Sequence, residues 1–119
     1  MERLKHRTDF LATATGVKIP AAAFLLQARR RGDEAPPRVG FTVSKKVGNA
    51  VERNRVRRRL RELVRCAAAG RIAAGHDYVL VGRRAALQFP FERLIGDFEG
   101  ALRRIHGKRR AEPAGESTT

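Results

Sequence analysis

Between Arg53 and Arg65 the chain carries seven arginines and no lysine, and the only carboxylates to offset them are Glu62 within the stretch and Glu52 just before it. With Val56 at the origin of a helical wheel of roughly 100° per residue, Leu60, Leu63, Val64 and Ala67 fall within about 80° of it. The stretch must therefore be a helix, from about Val51 to Ala69, with one apolar stripe for a core and a cationic remainder. Asn54, Arg58, Arg61 and Arg65 take the opposite face, with Arg57 on one flank and Arg55 and Arg59 on the other. Arginines four apart repel and destabilise an isolated helix. A solvated face would be laced with acid–base pairs, and here the acidic half is missing. Guanidinium binds phosphate through a planar fork and stacks on bases, which ammonium cannot do. Phosphate contact is the chemistry this helix suits.

The whole chain points the same way. Its 119 residues carry a net charge of +14 and suffice for one domain with a modest core. Self-repulsion on that scale is relieved when a polyanion neutralises it: RNA, DNA or an anionic membrane. No run of about 18 apolar residues is present, which excludes a spanning helix. The charged start, Met1 to Arg7, leads into no apolar stretch of a secretory signal, and the single Cys66 suits a reducing compartment. The expected location is the cytoplasm.

The other elements read in order. Thr8-Asp9 can cap a short helix to about Ala14, with Gly16 as its stop. A short strand is possible near Val17 to Ile19, and Ala21 to Arg30 reads as a strand with Phe24, Leu26 and Ala28 on one side and Leu25, Gln27 and Arg29 on the other. Gly32 to Pro37 forms a loop or hairpin connection, and Arg38 to Ser44 alternates as a strand through Val39, Phe41 and Val43. Gly70 and Gly75 close the arginine helix, and Tyr78-Val79-Leu80-Val81 makes a buried strand within His76 to Gly82. Pro90 opens a helix through Phe91, Leu94, Ile95, Phe98, Leu102 and Ile105. The order is about α-β-β-β-α-β-α, an α+β fold, a small sandwich of helices on one sheet. Residues 1–107 form the single RNA-binding domain, and 108–119 a disordered basic and polar tail.

Sites for protein-borne chemistry are missing. His6, His76 and His106 are scattered without metal-ligand spacing, His76-Asp77 reads as a turn pair, and no Walker or dinucleotide motif occurs. No catalytic residue and no metal ligand is assigned. Lys45, Lys46 and Gly48 lie instead beside the start of the arginine helix, where free N–H groups favour an anion. A general RNA-binding protein, ribosomal for example, and a DNA-binding module remain open on these grounds.

The run from Arg38 to Arg58 narrows the choice. Its Arg53-Asn54-Arg55 core, preceded by Gly48-Asn49-Ala50-Val51 and followed by Val56-Arg57-Arg58, resembles the signature of the bacterial ribonuclease P protein family. Arg3-Leu4-Lys5-His6-Arg7-Thr8-Asp9-Phe10 and Phe24-Leu25-Leu26 are similar to it too, so that matching features span about residues 3 to 105. The resemblance implies a left-handed β-α-β crossover through the arginine helix, against the right-handed norm. It also implies that an RNA subunit removes the 5′ leader of precursor tRNA using bound Mg2+, while the protein binds no cofactor alone and needs no obligate protein partner. By the same resemblance Arg53, Arg55, Arg58, Lys45 and Lys46 meet the RNA subunit. Phe10, Asn54, Arg57 and Arg61 meet the leader, Phe10 by stacking on a base. The family often places further cleft aromatics near Ala14 and Gln27, where this chain has none, leaving Phe10, with Phe24 or Phe41, to stack.

Overall fold

A computed structural model describes residues 2–68 and 71–114. The elements are β1 (Glu2–Arg3), α1 (Arg7–Ala14), β2 (Val17–Pro20), β3 (Phe24–Arg30), β4 (Arg38–Val43), α2 (Ala50–Ala67), β5 (His76–Gly82) and α3 (Phe91–Ala114). Short 3-10 turns at Lys45–Val47 and Arg84–Leu87 follow β4 and β5. The strands make one sheet in the order β1-β4-β5-β3-β2. β4 and β5 are adjacent and parallel, joined through α2, which is the β-α-β unit expected for the fold. β3 runs antiparallel to β5 and β2. β5 thus separates β3 from β4, and Gly32–Pro37 is a crossing loop rather than a hairpin turn. β1 has no counterpart in the expected order, because two charged residues carry no periodic signal.

Registration assigns the two faces. Phe24, Leu26 and Ala28 align with Gly82, Leu80 and Tyr78, and these with Val43, Phe41 and Val39. That face meets α2 and α3. A Cβ on Gly82 would strike Val56 and Val43, so the missing side chain is what lets α2 approach the sheet so closely. Val56, Leu60, Leu63, Val64 and Ala67 are all buried, as the wheel requires, and Phe24 meets the edge of Phe98 with ring centroids 6.2 Å apart. Ile19, Leu94, Leu102 and Ile105 complete this core. The opposite face, with Leu25, Gln27, Gly40, Thr42, Asp77, Val79 and Val81, is covered by α1 as its one helix among the described residues.

Several boundaries differ from expectation for identifiable reasons. Residue His6, not Thr8 or Asp9, takes the N-cap of α1, and its side chain makes no cap bond. Asp9 is occupied instead with arginines of the sheet. Helix α1 stops at Ala14 with Thr15 in right-handed geometry, so Gly16 is not a left-handed stop. Its Cβ would collide with the Ala28 carbonyl oxygen, and glycine there serves the close passage of the chain along β3. The strand expected from Ala21 starts at Phe24, since Ala21 N–H bonds the Phe24 carbonyl (2.8 Å) to close a tight turn after Pro20. Helix α2 ends at Ala67, and Gly70 lies outside the described residues. Helix α3 continues to Ala114, beyond Ile105, the last position of its apolar spacing, and residues 115–119 lie outside the described residues.

Candidate nucleic-acid interface

The start of α2 is built from its own sequence. Asn49 accepts from the Glu52 N–H through Oδ1 (2.9 Å), and Glu52 Oε1 accepts from the Asn49 N–H (3.0 Å), a complete capping box. Just before it, Ser44 Oγ accepts from the Lys46 N–H (3.1 Å) and shapes the turn that holds Lys45 and Lys46 in solvent. Arg53 is half-buried and folds back to donate to the Gly48 carbonyl (2.8 Å). Asn54 Oδ1 accepts from Arg57 Nη1 (3.0 Å), which sets these two side chains next to each other.

The seven arginines do not share one fate. Arg59 donates to the carbonyls of Leu87 (3.3 Å) and Phe89 (2.8 Å) and pins the turn after β5 to α2. Arg65 pairs with Glu62, which also accepts from the exposed Cys66 thiol. This ion pair holds the Glu62 carboxyl below its ordinary range. Arg55, Arg58 and Arg61 are exposed and have no hydrogen bond or ion pair among the described residues. Wheel geometry could not separate Arg59 from this group, because its partners come from a distant segment.

Phe10 lies on the other side of the sheet. A Cβ on Gly40 would sit 2.5 Å from two atoms of its ring, so the aromatic plate rests where β4 has no side chain. Leu25, Thr42 and Val81 are half-buried on the same face and continue the surface toward Ser44. The four residues expected on the leader side are thus divided. Phe10 belongs to the α1 face, while Asn54, Arg57 and Arg61 belong to α2, which packs on the other face of the sheet. Phe24 is fully buried, and Phe41 packs against the core on the α2 face. Neither lies on the same face as Phe10, which leaves it as the aromatic of that surface. Gln27 shares that face and is buried, whereas Ala14 is the last residue of α1.

Asp77 overturns the reading of His76-Asp77 as a turn pair. It lies inside β5 with a fully buried side chain, and Arg29 (2.7 Å), Arg31 (2.5 Å) and Arg38 (2.8 Å) converge on it. Burial pushes its carboxyl up, but hydrogen bonds from Arg38, Arg29 and Arg31 outweigh burial and hold it at about 2. Asp9 reaches Arg29 (3.5 Å) and Arg38 (3.4 Å), and Asp33 meets Arg31 (3.0 Å). Three carboxylates thus match three guanidiniums, and the cluster is a structural joint rather than a phosphate site.

The scattered histidines are partly gathered. The rings of His76 and His106 lie 5.2 Å apart, and Tyr78 Oη bonds His106 Nε2 at 2.7 Å, tying α3 to the sheet. Among the described residues no three histidine, cysteine or acidic side chains are grouped to hold a metal ion. No helix among them is long and apolar enough to cross a membrane.

Fold and surface together define a small α+β protein with one strongly basic helix beside a partly open sheet face. Comparison with known proteins makes the class specific. The family model for ribonuclease P matches residues 1–106. A ribonuclease P protein component of Gluconacetobacter diazotrophicus is 50% identical over 111 residues, covering 92% of this chain and 95% of that protein. One of Brucella suis is 44% identical over 123 residues, covering 92% and 87%. Two solved structures share the fold: the RNase P protein of Staphylococcus aureus, with a TM-score of 0.73, 26% identity and coverage of 88% and 95%, and that of Thermotoga maritima, with 0.72, 29%, and 87% and 97%. The chain belongs to the ribonuclease P protein family.

Proposed function

We propose that this chain works as the protein component of ribonuclease P, binding the catalytic RNA subunit and the 5′ leader of precursor tRNA in the bacterial cytoplasm. The RNA subunit supplies the cleavage, and Mg2+ acts with that RNA and the substrate. The protein contributes charge and positioning. Lys45, Lys46, Arg53, Arg55 and Arg58 meet the RNA subunit, while Asn54, Arg57 and Arg61 meet leader phosphates and Phe10 stacks on a leader base. No obligate protein partner and no membrane is required.

The observation that carries this reading is the set of exposed arginines, Arg55, Arg58 and Arg61, left without acidic partners on α2 in a chain of this family. The chemistry follows from charge density. Two RNAs brought together repel through their phosphates, and guanidiniums between them lower that repulsion and the magnesium concentration needed to do the same work. Leader removal from precursor tRNA, run at low magnesium with the cognate RNA subunit, tests it. Adding the protein is expected to raise cleavage strongly at low magnesium and weakly at high magnesium. Absence of stimulation at low magnesium would overturn the proposal.

A further inference from the structure

Glu52 is the one carboxylate in the stretch from Ser44 to Arg61, the most basic part of the chain. A negative charge there opposes binding to a polyanion. Its contacts account for it. Beyond the capping box, Glu52 Oε2 accepts from Arg84 Nη2 (2.9 Å), and Arg84 Nη1 donates to the Val47 carbonyl (2.6 Å). Arg84 belongs to the turn after β5, so one guanidinium from a distant segment grips both the 3-10 turn and the first turn of α2. Gly48 lies beneath this bracket: a Cβ there would collide with Glu52 Oε1 and sit 2.9 Å from Arg84 Nη1. Val47 is buried under it and anchors the turn to the core.

A capping box is satisfied without any arginine. The additional bonds of Arg84 therefore do something other than cap. They fix the hinge between Lys45-Lys46 and α2, where a loop with a glycine would otherwise sample many orientations. We infer that Glu52 and Arg84 are positioning residues for RNA binding, their ion pair holding Lys45, Lys46, Arg55 and Arg58 in the arrangement that meets the phosphates. This rests on the function proposed above. The gain is preorganisation: order present before binding need not be imposed during it. Both side chains are partly exposed, so the pair adds little to stability and its effect falls on binding.

Holoenzyme assembly from the full chain and the cognate ribonuclease P RNA tests this, with Kd measured across a salt series for the native protein, Glu52→Gln, Arg84→Gln and the double variant. Glutamine at 52 keeps the capping bond, and thermal melts verify that each variant is folded. Glu52→Gln is expected to weaken RNA binding roughly threefold to tenfold although it adds one unit of positive charge. Arg84→Gln is expected to weaken it similarly with an unchanged log–log salt slope, and the double variant to be no worse than the poorer single one. Equal or tighter binding by Glu52→Gln would overturn the inference, as would additive losses. So would an Arg84→Gln slope shallower by about 0.7 to 0.9, since Arg84 would then touch a phosphate itself. Failure of the native protein to bind this RNA would overturn the proposed function and the inference with it.

Discussion

Removing a carboxylate from water is costly unless partners replace the lost hydration, and at Asp77 three arginines do so. Its carboxyl titrates at about 2 in the folded chain against an ordinary 3.8. A depressed acid stabilises the fold fully above its unfolded value and loses that contribution as pH falls toward the folded one. About 2 kcal/mol should therefore disappear between about pH 4 and pH 2, with denaturant titrations monitored by circular dichroism as the measurement. Asp77→Asn leaves three buried or half-buried guanidiniums short of a partner. It should cost roughly 3–5 kcal/mol at neutral pH and flatten that acid limb. An unchanged acid limb in the variant would move the titration to another group. Phe10 is the second residue with a separable consequence. Replacing it by alanine removes a stacking plate worth about 1–3 kcal/mol per base. Gly40→Ala should act in the same direction by driving the ring off β4. Both variants are expected to weaken precursor tRNA binding by the holoenzyme more than mature tRNA binding, and equal losses on the two substrates would remove Phe10 from the leader site.

At the scale of elements the proposed division of labour falls on α2. Arg57 lies beside Asn54, while Arg55 and Arg58 stand free in solvent. Neutralising Arg57 and Arg61 should chiefly reduce affinity for precursor over mature tRNA, and neutralising Arg55 and Arg58 should chiefly reduce holoenzyme assembly. Each lost phosphate contact is expected to lower the log–log salt slope by about 0.7 to 0.9. Parallel losses in both measurements would show that the helix presents one undivided surface. This helix was also the most legible part of the sequence, because a stripe such as Val56, Leu60, Leu63, Val64 and Ala67 depends on local periodicity alone. The parts that were illegible depend on distant partners. Nothing near Arg59 signals that it will bind the Leu87 and Phe89 carbonyls, and nothing near Asp77 signals three arginines from β3, the loop that follows it and β4. Gly40 reads as one more polar-side position of β4 until α1 is folded over it and Phe10 is seen resting there. The family motif pointed to the candidate site residues and the wheel to their faces on α2, but the separation of Phe10 from α2 by the sheet came from the strand order and register.

On the scale of the molecule the charge itself makes a prediction. A net charge of +14 on 119 residues opposes compaction, and the acidic residues that exist are largely spent on local joints such as Asp77–Arg38, Glu52–Arg84 and Glu99–Arg71. Simple salt screens the remaining repulsion over a Debye length of about 10 Å at 0.1 M, which favours the folded state. The same salt competes with the protein for phosphates and weakens RNA binding. Raising salt from about 50 to 200 mM should therefore raise the Tm of the free protein while lowering its affinity for the ribonuclease P RNA. Bound RNA should raise the Tm at low salt by mass action, and this increment should shrink as salt increases. Differential scanning fluorimetry of the free protein and calorimetry of the complex across one salt series would measure both. A free-protein Tm that falls with salt would mean that favourable ion pairs, rather than self-repulsion, dominate the electrostatics of the isolated fold.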